Sequence, residues 1–192
     1  MNFIEFKELL KEDRSVRRFH ESHRISEETL ESLVELTRYC ASGRNLQPLK
    51  YRICSDPKEC AGLFENMKWA GYYGNWSPAP GERPAAYLLQ CLDLSLTENP
   101  LCDEGIQLQA ITLGARALGI GGCIIKSFNK NAIAEKLNIP QNMDIRYVLA
   151  LGHPAEETVI TDMDANGDIK YFRDASDRQC VPKRALSDLI IR

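Results

Sequence analysis

Apolar residues recur at helical spacing in several segments of the chain. Phe3, Phe6 and Leu10 lie three or four positions apart, which predicts a short helix over residues 2–11 with one apolar face. The same spacing and favourable N-terminal residues predict further helices. These run from Ser26 to about Tyr39, onward from Pro57, from Asp103 to Leu118, and from Asn129 to near Leu137.

Short runs of apolar residues between these segments predict buried strands. The runs cover residues 49–54, 86–92, 122–125 and 145–151. Because helices and strands alternate, a parallel α/β sheet is one option. The helical N-terminus and the long non-helical tail favour instead the α+β class, with a central mixed sheet flanked by helices.

The tail that begins at His153 has no strong helical pattern. Its Asn166-Gly167 pair predicts a hairpin, because this dipeptide adopts the turn that joins paired strands. A tail of this length is not expected to bury its own surface. We therefore expect it to wrap around a second copy of the chain, which predicts a homodimer.

Composition and charge exclude several classes of protein. The chain has 192 residues with 44% apolar usage, which fits one folded domain over residues 1–192. Its 24 basic and 27 acidic residues give a net charge of −3, which argues against general binding to nucleic acid. No segment approaches the roughly 20 apolar residues of a membrane span. Acidic residues soon after Met1 are unlike a targeting peptide, so we expect a cytoplasmic protein.

The cysteines and acidic residues do not form a recognisable metal site. The seven cysteines are odd in number and include no C-x-x-C pair, which argues against a disulfide framework or a zinc knuckle. Several lie in apolar runs, as buried thiols do. Residues 162–168 resemble half of a calcium loop, but Arg173 stands where that loop needs a glutamate.

Three segments have side chains or backbone suited to ligand binding. Arg14–Arg18 gathers three guanidinium groups and a hydroxyl, which suits phosphate oxygens, although a solvated basic patch has the same composition. Ser42–Pro48 combines small residues with two amides and suits a flat heterocycle, although it is also an ordinary connection. Gly119–Ser127 is not a dinucleotide fingerprint, because its glycines follow a helix and precede a strand.

No nucleophile with a nearby base can be named from the sequence. The three histidines have no metalloprotease spacing, and neither a G-x-S-x-G elbow nor a phosphate-binding Walker sequence occurs. If the protein is an enzyme, we therefore expect a cofactor to carry the reaction.

Taken together and in order, these segments resemble the nitroreductase family of FMN-dependent oxidoreductases. The family's R-S-x-R-x-F segment is matched by Arg14–Phe19, and its S-x-x-N-x-Q-P loop by Ser42–Pro48. Its G-x-G-G-C run after a long helix is matched by Gly119–Cys123, and its basic C-terminal segment by Pro182–Leu186. The likeness spans nearly the whole chain.

The resemblance implies a three-layer α+β fold and a homodimer with exchanged tails and two FMN molecules at its interface. It implies that Arg14, Ser15 and Arg17 hold the FMN phosphate and ribityl chain. Lys183 and Arg184 complete the phosphate site. Along the flavin, partly from the second subunit, it places Ser42, Gly43, Asn45, Gln47, Gly122 and the backbone of Ser127, the last facing flavin N5.

The resemblance further implies that NAD(P)H reduces the flavin and that a small acceptor, such as a nitroaromatic or a quinone, reoxidises it by a ping-pong route. Two positions depart from the family. Asp13 stands where many members have a basic residue, and Arg44 adds a charge to the second loop. Trp69, Tyr72, Tyr73 and Trp76 suit either a substrate lid or dimer packing.

Two other functions remain open at this stage. The chain either binds FMN without turnover, as a storage or sensing module, or is a dimeric structural domain without a ligand. Reduction of a bound flavin by NAD(P)H distinguishes an enzyme from a binding module, and a colourless protein that refuses FMN indicates the structural domain.

Overall fold

The centre of the molecule is a four-stranded sheet, seen in a computed structural model that describes residues 1–192. Its strands are β1 (Leu49–Cys54), β2 (Ala86–Asp93), β3 (Gly121–Ile125) and β4 (Met143–Gly152), in the order β1-β2-β4-β3. All three strand pairings are antiparallel, so the parallel α/β option is wrong. A parallel bridge joins Ser15 to Gly122 at the outer edge of β3.

Five helices accompany the sheet. They are α1 (Phe3–Glu12), α2 (Glu27–Glu35), α3 (Pro57–Phe64), α4 (Asp103–Ala117) and α5 (Lys130–Lys136). Short 3₁₀ turns cover Leu36–Tyr39, Gly43–Asn45, Gly71–Tyr73 and Leu186–Leu189. Asn2, Ser26, Asp56 and Asn129 cap the starts of α1, α2, α3 and α5 with their side chains.

Alternation along β2 divides the core into two layers, because successive side chains of a strand point to opposite faces. Tyr87 and Leu89 face a cluster with α3 and α5, whereas Leu88 faces a second cluster with α2 and α4. The predicted three-layer α+β class is therefore confirmed. Five of the seven cysteines are buried, as their apolar neighbours predicted, and burial raises the pKa of the Cys91 thiol to about 11.

The tail forms a second, smaller sheet and not the predicted hairpin. Its strands are β5 (Thr158–Asp162), β6 (Phe172–Arg173) and β7 (Gln179–Lys183), in the order β5-β7-β6. Asn166 does lie in a turn, where the Asp164 carboxylate accepts its backbone N–H. The hairpin prediction is wrong because β5 and β6 both pair with β7 and not with each other. Exchange of the tail between subunits stays a prediction.

Two helices leave apolar surface uncovered within the chain. No residue of α1 is buried, and Phe3 is 79% exposed. Helix α4 buries the face that contains Leu108 and Ile111 but exposes Ile106 on the other. No helix of the structure is long and apolar enough to cross a membrane.

Candidate functional site

The segment that follows α1 runs beside strand β3 in extended form. Val16 donates its backbone N–H to the Gly122 carbonyl over 3.0 Å and is itself buried. Gly121 makes this approach possible, because a Cβ there would lie 2.7 Å from Val16 Cγ2. With Val16 fixed inside, Ser15 and Arg17 line a cavity on the opposite side of the segment.

A buried carboxylate ties the same segment to the tail. Glu156, whose side chain is 2% exposed, accepts the backbone N–H groups of Arg17 and Arg18 and pairs with Arg173. The motif residues are thus held from two sides, by β3 and by Glu156.

The cavity beside this segment, which we call the cationic pocket, has a volume of about 260 Å³. It unites residues from the first motif, the start of β3 and the C-terminal basic segment, which lie far apart in the sequence. Five of the eleven residues that the sequence predicted for the site line it: Arg14, Ser15, Arg17, Gly122 and Lys183.

No carboxylate of the chain pairs with the positive charges of the cationic pocket, although Arg14 donates to the Leu10 carbonyl at 2.7 Å and Arg17 to the Ser15 carbonyl at 3.4 Å. Arg14, Arg17 and Lys183 form no ion pair, and the Arg14 Nε atom is buried without any hydrogen-bond acceptor. Burial and the nearby Arg14 charge hold the pKa of Lys183 below its ordinary value. Arg18, by contrast, pairs with Asp177 at 2.6 Å and Glu82 at 3.5 Å. Two of the three motif arginines are therefore free to bind an anion.

Asp13, which departs from the family motif, is engaged by α4. One of its carboxylate oxygens accepts hydrogen bonds from Gln109 Nε2 at 2.6 Å and Thr112 Oγ1 at 2.7 Å. Its charge leaves an excess of two positive charges among the ionisable residues that line the pocket. A phosphomonoester carries about −1.5 to −2 at neutral pH, so the charges match.

One aromatic residue, Tyr171, lines the pocket on the tail side. The Arg17 guanidinium stacks over the Tyr171 ring at 4.4 Å from its centroid. Tyr72 and Tyr73 in turn contact Tyr171, with ring centroids 4.8 and 5.2 Å away. Trp69 is buried in the core. The two tyrosines thus pack on the tail of their own chain, while their expected roles as lid or dimer contact stay predictions.

The second predicted loop lies at a different place in the fold. Ser42 and Gly43 are bound by Asp103, the first residue of α4. Gln109 and Thr112 of the cationic pocket lie six and nine residues further along the same helix, about 9 and 14 Å at 1.5 Å per residue. The structure therefore does not bring Ser42, Gly43, Asn45 and Gln47 into the cationic pocket of their own chain.

Ser127 and Arg184 also lie outside the cationic pocket. Ser127 follows the end of β3 and lines a separate cavity of about 620 Å³ with Lys68 and Lys126. Its carbonyl accepts the Lys68 N–H, but its own N–H donates no hydrogen bond within the chain. Arg184 is exposed beyond the end of β7.

The sequence profile of the Nitroreductase family matches residues 10–76 and 94–153, which is more than half of the chain. The chain belongs to the nitroreductase family. The matched range includes the first motif, the Ser42–Pro48 loop and all of β3. Lys183 at the end of β7 and the adjacent Arg184 lie outside it.

Individual relatives agree with this nitroreductase assignment. A protein of Archaeoglobus fulgidus with the provisional name NADH dehydrogenase/NAD(P)H nitroreductase is 28% identical over 152 residues, covering 75% of this chain and 82% of that protein. An FMN-dependent nitroreductase from Clostridium difficile has the same fold, with a TM-score of 0.66, 20% identity, and coverage of 87% and 97% of the two chains. The NADPH:FMN oxidoreductase of Vibrio harveyi, solved with NAD⁺, has the same fold, with a TM-score of 0.65 and 22% identity. The match covers 83% of this chain and 74% of that one.

Several residues of this nitroreductase site escaped the sequence analysis. Gln109 and Thr112 lie three positions apart on helix α4, a spacing that predicts a polar contact between them. Glu156 and Tyr171 carry no comparable signal, because nothing in the tail sequence indicates which residues turn toward the first motif.

Proposed function

We propose that this nitroreductase-family protein is an FMN-dependent NAD(P)H oxidoreductase. The observation that carries the proposal is the set of unpaired cations Arg14, Arg17 and Lys183 around one cavity. The names of the relatives, which include FMN and NAD(P)H, support the same cofactor and donor. The charges of the cationic pocket fit the phosphate end of FMN.

We propose further that the complete site forms in a homodimer. At about 260 Å³ the cationic pocket is smaller than the roughly 300–1,000 Å³ of typical ligand sites, so it accounts for only part of FMN. The Ser42–Pro48 loop lies away from it, as expected if this loop serves the site of a second copy. Uncovered apolar residues such as Phe3 and Leu186, 79% and 71% exposed, supply surface for that contact.

The residues of this chain bind and orient, and none acts as a nucleophile. FMN bound there would supply the redox chemistry, namely hydride and electron transfer from NAD(P)H to a small acceptor by a ping-pong route. Arg14, Arg17 and Lys183 hold the phosphate, and Ser15 adds a hydroxyl. The unengaged N–H of Ser127, five residues beyond Gly122 on the same strand and its following loop, offers a hydrogen bond to the flavin ring.

The absorption spectrum of the purified protein tests this proposal first. We expect flavin bands, release of FMN equimolar with the chain on heating, and bleaching by NAD(P)H followed by recovery with a nitroaromatic or a quinone. Bound FMN that NAD(P)H does not reduce would indicate the non-catalytic binding module. A colourless protein that takes up no added FMN would contradict both.

The affinity for FMN is expected to depend on pH through two groups. It rises as the pH passes about 6, where a phosphomonoester loses its second proton. It falls at alkaline pH, because only protonated Lys183 attracts the phosphate. Since the pKa of Lys183 lies below 10.5, this fall begins at a lower pH than for an ordinary lysine. Titration of FMN into the apoprotein by fluorescence quenching measures both limbs.

The variant Lys183→Met assigns the alkaline limb. It should bind FMN more weakly at neutral pH and lose the part of the alkaline fall that Lys183 causes, while the rise near pH 6 remains. An alkaline limb identical in both proteins would show that Lys183 does not contact the phosphate.

A further inference from the structure

The Ser42–Pro48 loop contains an unusual concentration of backbone strain. Arg44, Asn45 and Gln47 have φ angles of 55°, 55° and 50°, in the left-handed region. Residues with a side chain pay roughly 1–2 kcal/mol each for this conformation, which glycine adopts freely. Strain of this kind persists only where the surrounding structure enforces it, and it clusters at functional sites.

A buried carboxylate enforces the conformation of this loop. Asp103, which is 1% exposed, accepts hydrogen bonds from Ser42 Oγ at 2.5 Å and from the Gly43 N–H at 2.9 Å. Ser42 Oγ in turn accepts the N–H of Gln47 at 2.9 Å. The Ser42 hydroxyl is therefore engaged within the chain, and the part of the loop left free for other contacts is its exposed tip.

Arg44 lies at that tip and makes no polar side-chain contact within its own chain. Its side chain forms neither a hydrogen bond nor an ion pair, and the residue is exposed. The hydrogen bonds of Asp103 hold the loop in place, and within it Arg44 keeps a left-handed conformation that a glycine would adopt without strain. A strained, unpaired guanidinium on a rigidly held loop is suited to bind something from outside the chain.

We propose that Arg44 is a specificity-determining residue that selects negatively charged aromatic electron acceptors. The proposal rests on the proposed function, in which this loop completes the flavin site of a second copy. A guanidinium at the mouth of that site presents a planar fork of N–H donors to the carboxylate of an aromatic acid. A neutral aromatic of the same shape offers no anion to pair with this charge.

A matched pair of ligands, 4-nitrobenzoate and 4-nitrobenzamide, tests the proposal with the purified holoprotein. Calorimetric binding and kcat/KM are measured for both ligands in the unchanged protein and in Arg44→Gly. We expect Arg44→Gly to lose about tenfold in affinity and kcat/KM for 4-nitrobenzoate, as for one charge-assisted contact, and to change little for 4-nitrobenzamide. The unchanged protein should prefer the benzoate.

Controls separate this result from a general effect of charge or folding. Arg38→Gln removes one exposed charge from the neighbouring 3₁₀ turn and should leave the ratio between the two ligands unchanged. The urea midpoint of Arg44→Gly should not fall, because glycine adopts a φ of 55° without strain.

Three outcomes would overturn the assignment of Arg44. They are equal losses for both ligands, no loss for 4-nitrobenzoate, and a loss confined to the reaction with NAD(P)H. The flavin content of the same samples separates this failure from that of the proposed function. If the protein contains flavin but Arg44→Gly shows the same ligand selectivity as the unchanged protein, only the assignment of Arg44 is rejected. If the protein contains no flavin, both the proposed function and the assignment of Arg44 are rejected.

Discussion

Replacing Arg14 and Arg17 together by alanine is expected to weaken FMN binding by about 100- to 10,000-fold. Each arginine offers the phosphate a charge-assisted hydrogen bond, and such bonds contribute roughly 1.5–3 kcal/mol each. Neither side chain pairs with a carboxylate of the chain, so the charge of each is available to an anionic ligand. Fluorescence titration of the apoprotein with FMN measures the change.

The neighbouring arginine provides a matched control for this double variant. Arg18 belongs to the same motif, but its guanidinium pairs with Glu82 and Asp177. We expect Arg18→Ala to lower the free energy of unfolding while FMN affinity changes by less than in Arg17→Ala. Equal losses of affinity in Arg17→Ala and Arg18→Ala would mean that the motif acts through its net charge and not through the cationic pocket.

Replacing Glu156 by alanine is expected to lower the free energy of unfolding by about 3–5 kcal/mol. The substitution leaves Arg173, whose side chain is 16% exposed, without its buried partner. It also removes the acceptor of the Arg17 and Arg18 backbone N–H groups. Urea denaturation measures the loss, and FMN affinity should fall as well because the first motif is held less rigidly.

The adjacent glutamate provides the control for Glu156. The Glu157 side chain is 65% exposed, and its ion pair with Arg178 is long, at 3.9 Å. Glu157→Ala should therefore change the free energy of unfolding by no more than about 0.5 kcal/mol. Its backbone carbonyl, which accepts the Gln179 N–H, is unaffected by the substitution. If both variants lose the same stability, the tail is held by its sheet and not by the buried carboxylate.

Much of the fold was predictable because local patterns set the elements. The strand predicted over residues 86–92 extends by one residue in the structure, and the helix predicted over 103–118 ends one residue earlier. These segments have strong apolar patterns, a signal that acts over a few positions. The hairpin at Asn166-Gly167 failed because pairing with the distant strand β7 took the place of pairing across the turn.

The candidate site was predictable only as a set of motifs. The sequence motifs predicted Arg14, Ser15, Arg17, Gly122 and Lys183 as site residues, and the fold brings these five together around one cavity. The motifs did not reveal that Ser42 and Gly43 bind Asp103 at the N-terminal end of α4, away from the cationic pocket. Spatial separation of two motifs depends on helix length and packing, which no local spacing specifies.

The sequence by itself determined the order of helices and strands, the α+β class and the segments that carry positive charge. Tertiary structure alone decided which of those charges are available to a ligand. The sequence does not distinguish the three arginines of the first motif, Arg14, Arg17 and Arg18. In the structure, Arg18 pairs with Asp177, 159 residues away in the chain. Chain folding brings such distant carboxylates to one arginine and leaves the others without a carboxylate, and this pairing determines which charges an anion could contact.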